Sequence, residues 1–334
     1  MKSRTTILFI LFTAAVAVLF AADIAVGSVS IPIRDVWAAL TGGECDPTTA
    51  RIIRDIRLMK AVVALVAGAA LAVSGLQMQT LFRNPLAGPY VLGVSSGASL
   101  GVALFILGAP MLGLTGHAWL SSLGVAGAAW IGAAAILALV AAISTRIKDI
   151  MVILILGMMI SSGVSAIVQI LQYLSAEEAL KSFVVWTMGS LGDVTATQLA
   201  LLLPAVAAGA ALGVAAIKSL NMLLLGENYA RSMGLDLRRS RSIILLSTTL
   251  LAGTVTAFCG PIGFIGLAMP HVARVIFRNA DHRTLMPAAA LTGAASLLLC
   301  DMVAKLLALP VNSITALLGI PVVVWVVVRN RNIV

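Results

Sequence analysis

Asp301 and Lys305 stand four residues apart in an apolar run near the C-terminal end of the chain. A carboxylate at membrane depth is what a proton- or sodium-coupled carrier needs. Of the 13 acidic residues, Asp301 is the one that falls well inside a predicted span. Lys305 shares its helix face, so an intrahelical ion pair is the plainer account and weakens a proton relay. The histidines His117, His271 and His282 show no ligand spacing. His271, directly after Pro270, reads as a packed residue. Cys45, Cys259 and Cys300 form no CxxC pair, and no disulfide or metal frame follows from them. A nucleotide-binding loop requires Gly-Lys-Ser/Thr, and no lysine here follows a glycine. The chain therefore reads as a non-enzyme with no cofactor of its own. If ATP drives it, another chain binds the ATP and its magnesium.

A second charged group lies within Leu225–Arg241, "LGENYARSMGLDLRRSR". Leu225, Tyr229, Ser232 and Met233 recur at helical spacing and predict one partly apolar face. Glu227 precedes Arg231 by four residues, the favourable order for a helical ion pair. Gly234 suits a helix stop, where glycine adopts the left-handed conformation without steric cost. The following "LDL" predicts a second short turn, with Arg238, Arg239 and Arg241 holding that end at a membrane surface. Two readings stay open on the residues alone. One is a surface helix lying on the bilayer; the other is a rigid lever for a soluble partner.

The elements that hold these residues follow from composition. The chain of 334 residues is 60% hydrophobic and 10% charged, with mean hydropathy +1.08; soluble domains carry about 25% charged residues. Backbone groups in lipid must be satisfied within their own segment, which makes this an all-α polytopic membrane protein. Its apolar runs predict about ten transmembrane helices. They lie at roughly 6–26, 60–80, 89–108, 119–143, 150–173, 197–217, 242–258, 262–278, 285–307 and 314–328. The N-terminal run imitates a secretory signal with cleavage near Ala22, but its length favours an uncleaved first span. Prolines 85, 89, 261, 270, 310 and 321 fall at or near predicted span ends, where they mark breaks and short re-entrant pieces.

Basic residues set the orientation. With the N-terminus inside, Lys2, Arg4, Arg83, Arg146, Lys148, Lys218, Arg231, Arg238, Arg239, Arg241, Arg278, Arg283, Arg329 and Arg331 are cytoplasmic. Arg34, Arg51, Arg54, Arg57, Lys60 and Lys181 are external. This bias places both termini in the cytoplasm and accounts for much of the formal +9 charge without nucleic acid. The crowded outer bases of Arg51–Lys60 read equally as headgroup anchors or as a docking site for an acidic partner. Gly93/Gly97/Gly101 and Gly209/Gly213 have the small-xxx-small spacing of close helix seams.

"LGENYARSMG" resembles the coupling segment of the FecCD/BtuC-like permeases, which import vitamin B12, haem and ferric siderophores with ATP-binding-cassette ATPases. "RLMKAVVALVAGAALAVSGLQMQTLFRNPLAGPYVLGVSSGASLG" (Arg57–Gly101), "CGPIGFIGLAMPHVARVIFRNADHRTLMP" (Cys259–Pro287) and "LPVNSITALLGIPVVVWVV" (Leu309–Val327) extend the resemblance over nearly the whole chain. It implies a type II ABC importer permease-like bundle, a single permease domain over 1–334 with coupling helices at about 219–240. It further implies a homodimer in the bacterial inner membrane, two ABC ATPase subunits beneath it and a periplasmic substrate-binding protein above. The family's ATPase-coupling positions fall on Glu227, Tyr229, Ala230, Arg231 and Gly234. Its binding-protein docking bases fall on Arg57, Lys60 and Lys305, and Asn84, Pro85 and Leu86 fall on a turn narrowing the inner end of the path. On the residues alone, "RNPLAGP" reads equally as a proline-stabilised turn. The chain departs from the pattern at Asn228, Ala308 and Asn312. The implied cargo is siderophore iron first, haem second and cobalamin third. The alternatives are an ion-coupled secondary carrier without an ATPase, and a non-transporting scaffold.

Overall fold

The computed structural model describes residues 2–27, 29–108, 122–144, 147 and 149–329. His117, Arg146, Lys148, Arg331 and the first residues of the span expected at 119–143 lie outside them. In chain order the helices begin with α1 (Lys2–Ala25), α2 (Ile33–Thr41), α3 (Pro47–Leu81), α4 (Val94–Gly108) and α5 (Ser122–Ser144). Then come α6 (Ile150–Leu174), α7 (Glu177–Thr187), α8 (Ala196–Ala215), α9 (Ile217–Leu223) and α10 (Glu227–Ser232). The last four are α11 (Leu237–Cys259), α12 (Ile265–Phe277), α13 (His282–Leu307) and α14 (Val311–Arg329). Among the described residues, seven helices are long and apolar enough to cross a membrane. Three shorter apolar helices, α4, α12 and α14, occupy the remaining expected positions. At 1.5 Å per residue, α12 spans only about 20 Å, less than a bilayer core.

Helix starts follow local chemistry. Asp149, Asp236 and Asp281 cap α6, α11 and α13, each carboxylate accepting a backbone N–H of its first turn. Asp46 does the same for α3 through Thr49 N, at 3.0 Å. Single π-helical segments interrupt α3 at Ile52–Leu58 and α11 at Thr249–Gly253, and one ends α4 at Leu104–Gly108. Prolines 85, 89, 261 and 310 lie in connections as expected. Pro270 and Pro321 do not: each lies inside its helix, α12 and α14.

The chain forms two compact units. The first comprises Met1–Val73, Ser190–Leu203 and Ile262–Val334. Here α1 packs along α13, with the rings of Phe9 and Phe12 against Phe277 at 4.9 and 5.7 Å. Gly68 of α3 and Gly293 of α13 are so close that a Cβ on either would strike the other's carbonyl oxygen. This seam has the same small-xxx-small spacing, Ala64/Gly68/Ala72 on α3 and Ala289/Gly293 on α13, although it was not among the seams expected from sequence. Asn312 accepts from Gly263 N at 2.9 Å, so this unusual residue anchors the start of α14 to the turn before α12.

The second unit comprises Ser74–Gly189 and Pro204–Pro261. The expected glycine seam is present: Gly97 and Gly101 of α4 face Gly132 and Ala128 of α5 at backbone contact. Gly209 and Gly213 likewise leave room for Leu250, Leu251 and Gln77. Gln77 donates to Ser247 Oγ at 2.9 Å and accepts from Thr248 Oγ1 at 2.9 Å. Ser247 donates to the Gly209 carbonyl at 2.7 Å. All three side chains are buried, and their mutual satisfaction is what an apolar setting demands.

Candidate functional site

Two charged regions stand out, one in each unit. In the second unit, Gly226 (φ 99°) turns the chain between α9 and α10. A Cβ there would stand 3.5 Å from Arg83 Nη1, on the turn that follows α3. Helix α10 ends as its sequence demands. Gly234 takes φ 83°, its N–H bonds Arg231 O at 2.9 Å, and Leu235 N bonds Ala230 O at 3.0 Å. That pair of bonds is the Schellman arrangement, closing the orphan carbonyls of a short helix. Ala230 is fully buried, whereas Leu225, Tyr229 and Met233 are at least half exposed. The segment thus stands on one small buried residue and presents a partly apolar outer face.

Two details differ from expectation. Glu227 pairs with Arg241, at 2.6 Å, and not with Arg231, which lies exposed. The turn at Gly234 brings Arg241 back over α10, into a site where both side chains are largely shielded from competing water. Likewise, "LDL" is no separate turn. Asp236 caps α11 directly, so Arg238, Arg239 and Arg241 occupy the first turn and a half of a candidate membrane span.

The "RNPLAGP" turn lies in the same unit. Asn84 Oδ1 accepts from Leu86 N at 2.9 Å, and Asn84 O accepts from Ala87 N at 3.1 Å. The amide is engaged in its own turn, the local structure that Asn before Pro favours. Pro85 and Leu86 are exposed beside it.

In the first unit, two of the three bases expected to dock a partner, Lys60 and Lys305, meet two acids. Lys305 Nζ lies 2.9 Å from Asp23 Oδ1, 3.0 Å from Asp23 O and 2.8 Å from Asp301 Oδ2. Lys60 Nζ lies 3.0 Å from Asp301 Oδ1. The four side chains come from α1, α3 and α13, and their formal charges sum to zero. The Asp301–Lys305 pair expected from spacing is therefore present, inside a larger cluster that spacing did not reveal. Asp23 was missed: it lies in the last turn of α1 yet is fully buried, so Asp301 is not the only buried acid among the candidate spans. Its sequence signal was weak, a single acid after "FAA" at the end of a hydrophobic run. Asp23 Oδ2 and both Asp301 oxygens receive no well-directed hydrogen bond, so charge holds the cluster more than direction does.

Arg57 sits close by and points inward. Its guanidinium donates to the carbonyls of Ile24 at 3.2 Å and Ala25 at 2.8 Å, and to that of Val29. These bonds close the free carbonyl end of α1, for which a cation is the electrostatic complement. Arg57 is 5% exposed, so it presents no free guanidinium outward. Among the described residues, no group of three or more His, Cys, Asp or Glu could hold a metal ion.

The model of the FecCD transport family matches residues 14–329. The hemin transport system permease protein HmuU of Yersinia pestis is 37% identical over 314 residues, 91% of this chain and 90% of that protein. The vitamin B12 import system permease protein BtuC of Shigella boydii is 36% identical over 300 residues, 88% of this chain and 89% of that one. The molybdate import system permease protein MolB of Haemophilus influenzae is 33% identical over 303 residues, 88% and 86% of the two chains. A solved structure described as an inward-facing conformation of a metal-chelate type ABC transporter superposes with TM-score 0.84 at 31% identity, covering 97% of this chain and 99% of that one.

Proposed function

The chain belongs to the FecCD transport family and is a permease subunit of an ATP-binding-cassette importer, and from that premise we propose that it carries an iron complex from periplasm to cytoplasm. Siderophore-bound iron is the first cargo, haem the second and cobalamin the third. Hemin and vitamin B12 are the cargoes named for two relatives, and molybdate for a third. In this reading two copies form one path across the bacterial inner membrane, with both termini in the cytoplasm. Two separate ATPase subunits bind ATP and magnesium, and a periplasmic binding protein delivers the cargo.

The observation that carries the reading is α10. It is short, closed at Gly234, supported by buried Ala230 and braced by Glu227–Arg241, with Tyr229 and Met233 outward. A rigid projection with a partly apolar face suits a lever seated in a groove of a soluble partner. A chain without a Gly-Lys loop needs such a contact to use ATP. Deleting Leu225–Gly234 is expected to leave a membrane-inserted protein that no longer binds its ATPase. Substrate-stimulated ATP hydrolysis retained by that variant would remove the coupling role. The cargo is tested by identifying the ligand that co-purifies with the partner binding protein; an oxyanion there, in place of a chelate, overturns the iron assignment.

The ion-coupled carrier reading is the less favoured. Its best candidates, Asp23 and Asp301, each lie at ion-pair distance from a lysine, unlike the free carboxyl that a proton relay loads and unloads. Uptake by this chain alone in vesicles, driven by an ion gradient, would restore that reading.

A further inference from the structure

We propose that α2 is an interfacial helix: it lies in the lipid headgroup layer at the C-terminal end of α1, with Ile33, Trp37 and Leu40 lodged among the upper parts of the lipid chains. The inference needs only that α1 spans the membrane, and it is independent of the cargo and of the ATPase contact.

The nine residues of α2 separate into two faces. Val36 and Ala39 are buried, where α2 packs on the first turns of α3 and touches α1. Ile33, Trp37 and Leu40 follow one another at i, i+4 and i+7, the spacing of a single face. They are 78%, 70% and 41% exposed. Single exposed apolar residues are ordinary, whereas a row of three large ones marks a contact surface. One of them is a tryptophan, whose ring combines an apolar body with a polar N–H and collects at membrane interfaces. Arg34 is exposed beside the row, where its stem can lie along apolar surface while its charge rises to the phosphates.

Two arginines fix the depth of α2. The candidate span in α1, Arg4–Ala25, has 22 residues. At 1.5 Å per residue it is about 33 Å long, against a hydrocarbon core of about 30 Å. Ala25 therefore stands at the edge of the core. Arg57 donates to Ala25 O at 2.8 Å, which sets that turn of α3 at the same level. Arg54, roughly one turn further out, donates through Nε to Ala39 O at 2.5 Å. Helix α2 is thus held about one turn above the core, within a headgroup region about 5–8 Å deep on each side of the bilayer.

Charge identifies the occupant. Between Val26 and Leu58 the bases Arg34, Arg51, Arg54 and Arg57 are balanced by the acids Asp35, Glu44, Asp46 and Asp55. A connection of zero net charge gives a charged partner no electrostatic reason to select it. The apolar row carries the contact, and the occupant that such a row meets at this depth is lipid. Helix α2 then acts as a float. Arg54 ties it to α3 and Arg57 ties α3 to α1, so it sets how far the ends of both spans can sink or rise.

Fluorescence of the full-length protein reconstituted in phosphatidylcholine vesicles tests this. The signal lost in Trp37→Phe belongs to Trp37. Lipid brominated near the glycerol end of its chains is expected to quench that signal at least about twofold more than lipid brominated near the chain ends, as an indole at headgroup depth requires. Aqueous acrylamide should quench it weakly, and exchanging part of the lipid for phosphatidylglycerol should change neither result. Strong acrylamide quenching without bromolipid quenching overturns the proposal, because the face then looks to water or to a soluble partner. Absence of both also overturns it, because protein, such as a second copy of the chain, then covers Trp37. Bromolipid quenching that requires phosphatidylglycerol makes charge the source of the contact and overturns it as well. Should Trp37→Phe insert poorly, carbene labelling of the unaltered protein from a diazirine-bearing lipid decides. Ile33, Trp37 and Leu40 should be labelled, with Val36 and Ala39 spared; labelling confined to the spans ends the proposal.

Discussion

The segment Leu225–Arg241 and the cluster of Asp23, Lys60, Asp301 and Lys305 are both charged islands in an apolar chain, yet they are built on opposite scales. The first lies within 17 consecutive residues, and its turn, stop and cap are made by neighbours in sequence. The second joins residues as much as 282 apart on three helices. The first exposes its apolar side chains and shields its ion pair; the second buries its acids completely and leaves one lysine partly open. Local geometry can be assembled before the spans pack, and it gives a projection whose shape is independent of the partner. A long-range charge cluster exists only once the helices are in place, and each of its members is hostage to the others.

The comparison predicts a steep gradient of effects. Lys305→Ala should be the most damaging, at about 3–5 kcal/mol, because it strands a buried carboxylate. Thermal unfolding of the purified protein measures this, and adding Asp23→Asn to Lys305→Ala should recover part of the loss. An unaltered midpoint in Lys305→Ala would place the lysine outside any compensating role. Gly234→Ala comes next, at about 1–2 kcal/mol of local strain for a left-handed non-glycine residue. A Cβ at Gly234 meets nothing within 4 Å, so the cost is conformational alone. The expected readout is weaker ATPase binding with the global unfolding midpoint nearly unchanged. The reverse result would mean that Leu225–Arg241 does not act as a unit independent of the packed spans.

Two smaller effects sharpen the contrast. Ala308 closes α13 with φ 51°, so Ala308→Gly should stabilise by about 0.5–1 kcal/mol, read as a higher unfolding midpoint. Smallest is a pH effect at Asp46, outside the spans. The Thr49 N–H bond holds its carboxyl below the usual value of 3.8. A folded-state value below the unfolded one gives stabilisation that is present above the unfolded value and lost as pH falls through the folded one. Asp46→Asn keeps a capping side chain but removes this dependence. Unfolding midpoints measured from neutral pH down into the acid range should therefore fall slightly less steeply in the variant.

How far these features were legible follows from the same difference in scale. The positions of the apolar helices were written in composition, because lipid leaves the backbone few alternatives. The Gly97/Gly101 seam and the Gly234 stop were also readable, each needing only a few residues in order. Glu227 was assigned the wrong partner. Helical spacing offers Arg231, whereas the fold returns Arg241 over the same carboxylate, in a site with less water. Arg57 looked like a free external charge, and only the packed end of α1 shows that three carbonyls claim it. Helices α2 and α7 lie among the connections between expected spans and are too short to cross a membrane, so a search for spans passed over them, although Ile33, Val36, Trp37 and Leu40 of α2 recur at helical spacing.

Sequence by itself determined that this chain crosses a membrane as a helical bundle, that it carries no Gly-Lys-Ser/Thr loop, and that the short helix after Gly226 stops at Gly234. Those properties depend on hydrophobicity and on the conformational preferences of neighbouring residues. Only the tertiary structure decided which charges are free. Asp23, Lys60, Asp301 and Lys305 have nothing in common along the chain. They are brought together because carboxylates and ammonium groups inside an apolar bundle must find each other, and which ones meet depends on where α1, α3 and α13 pack.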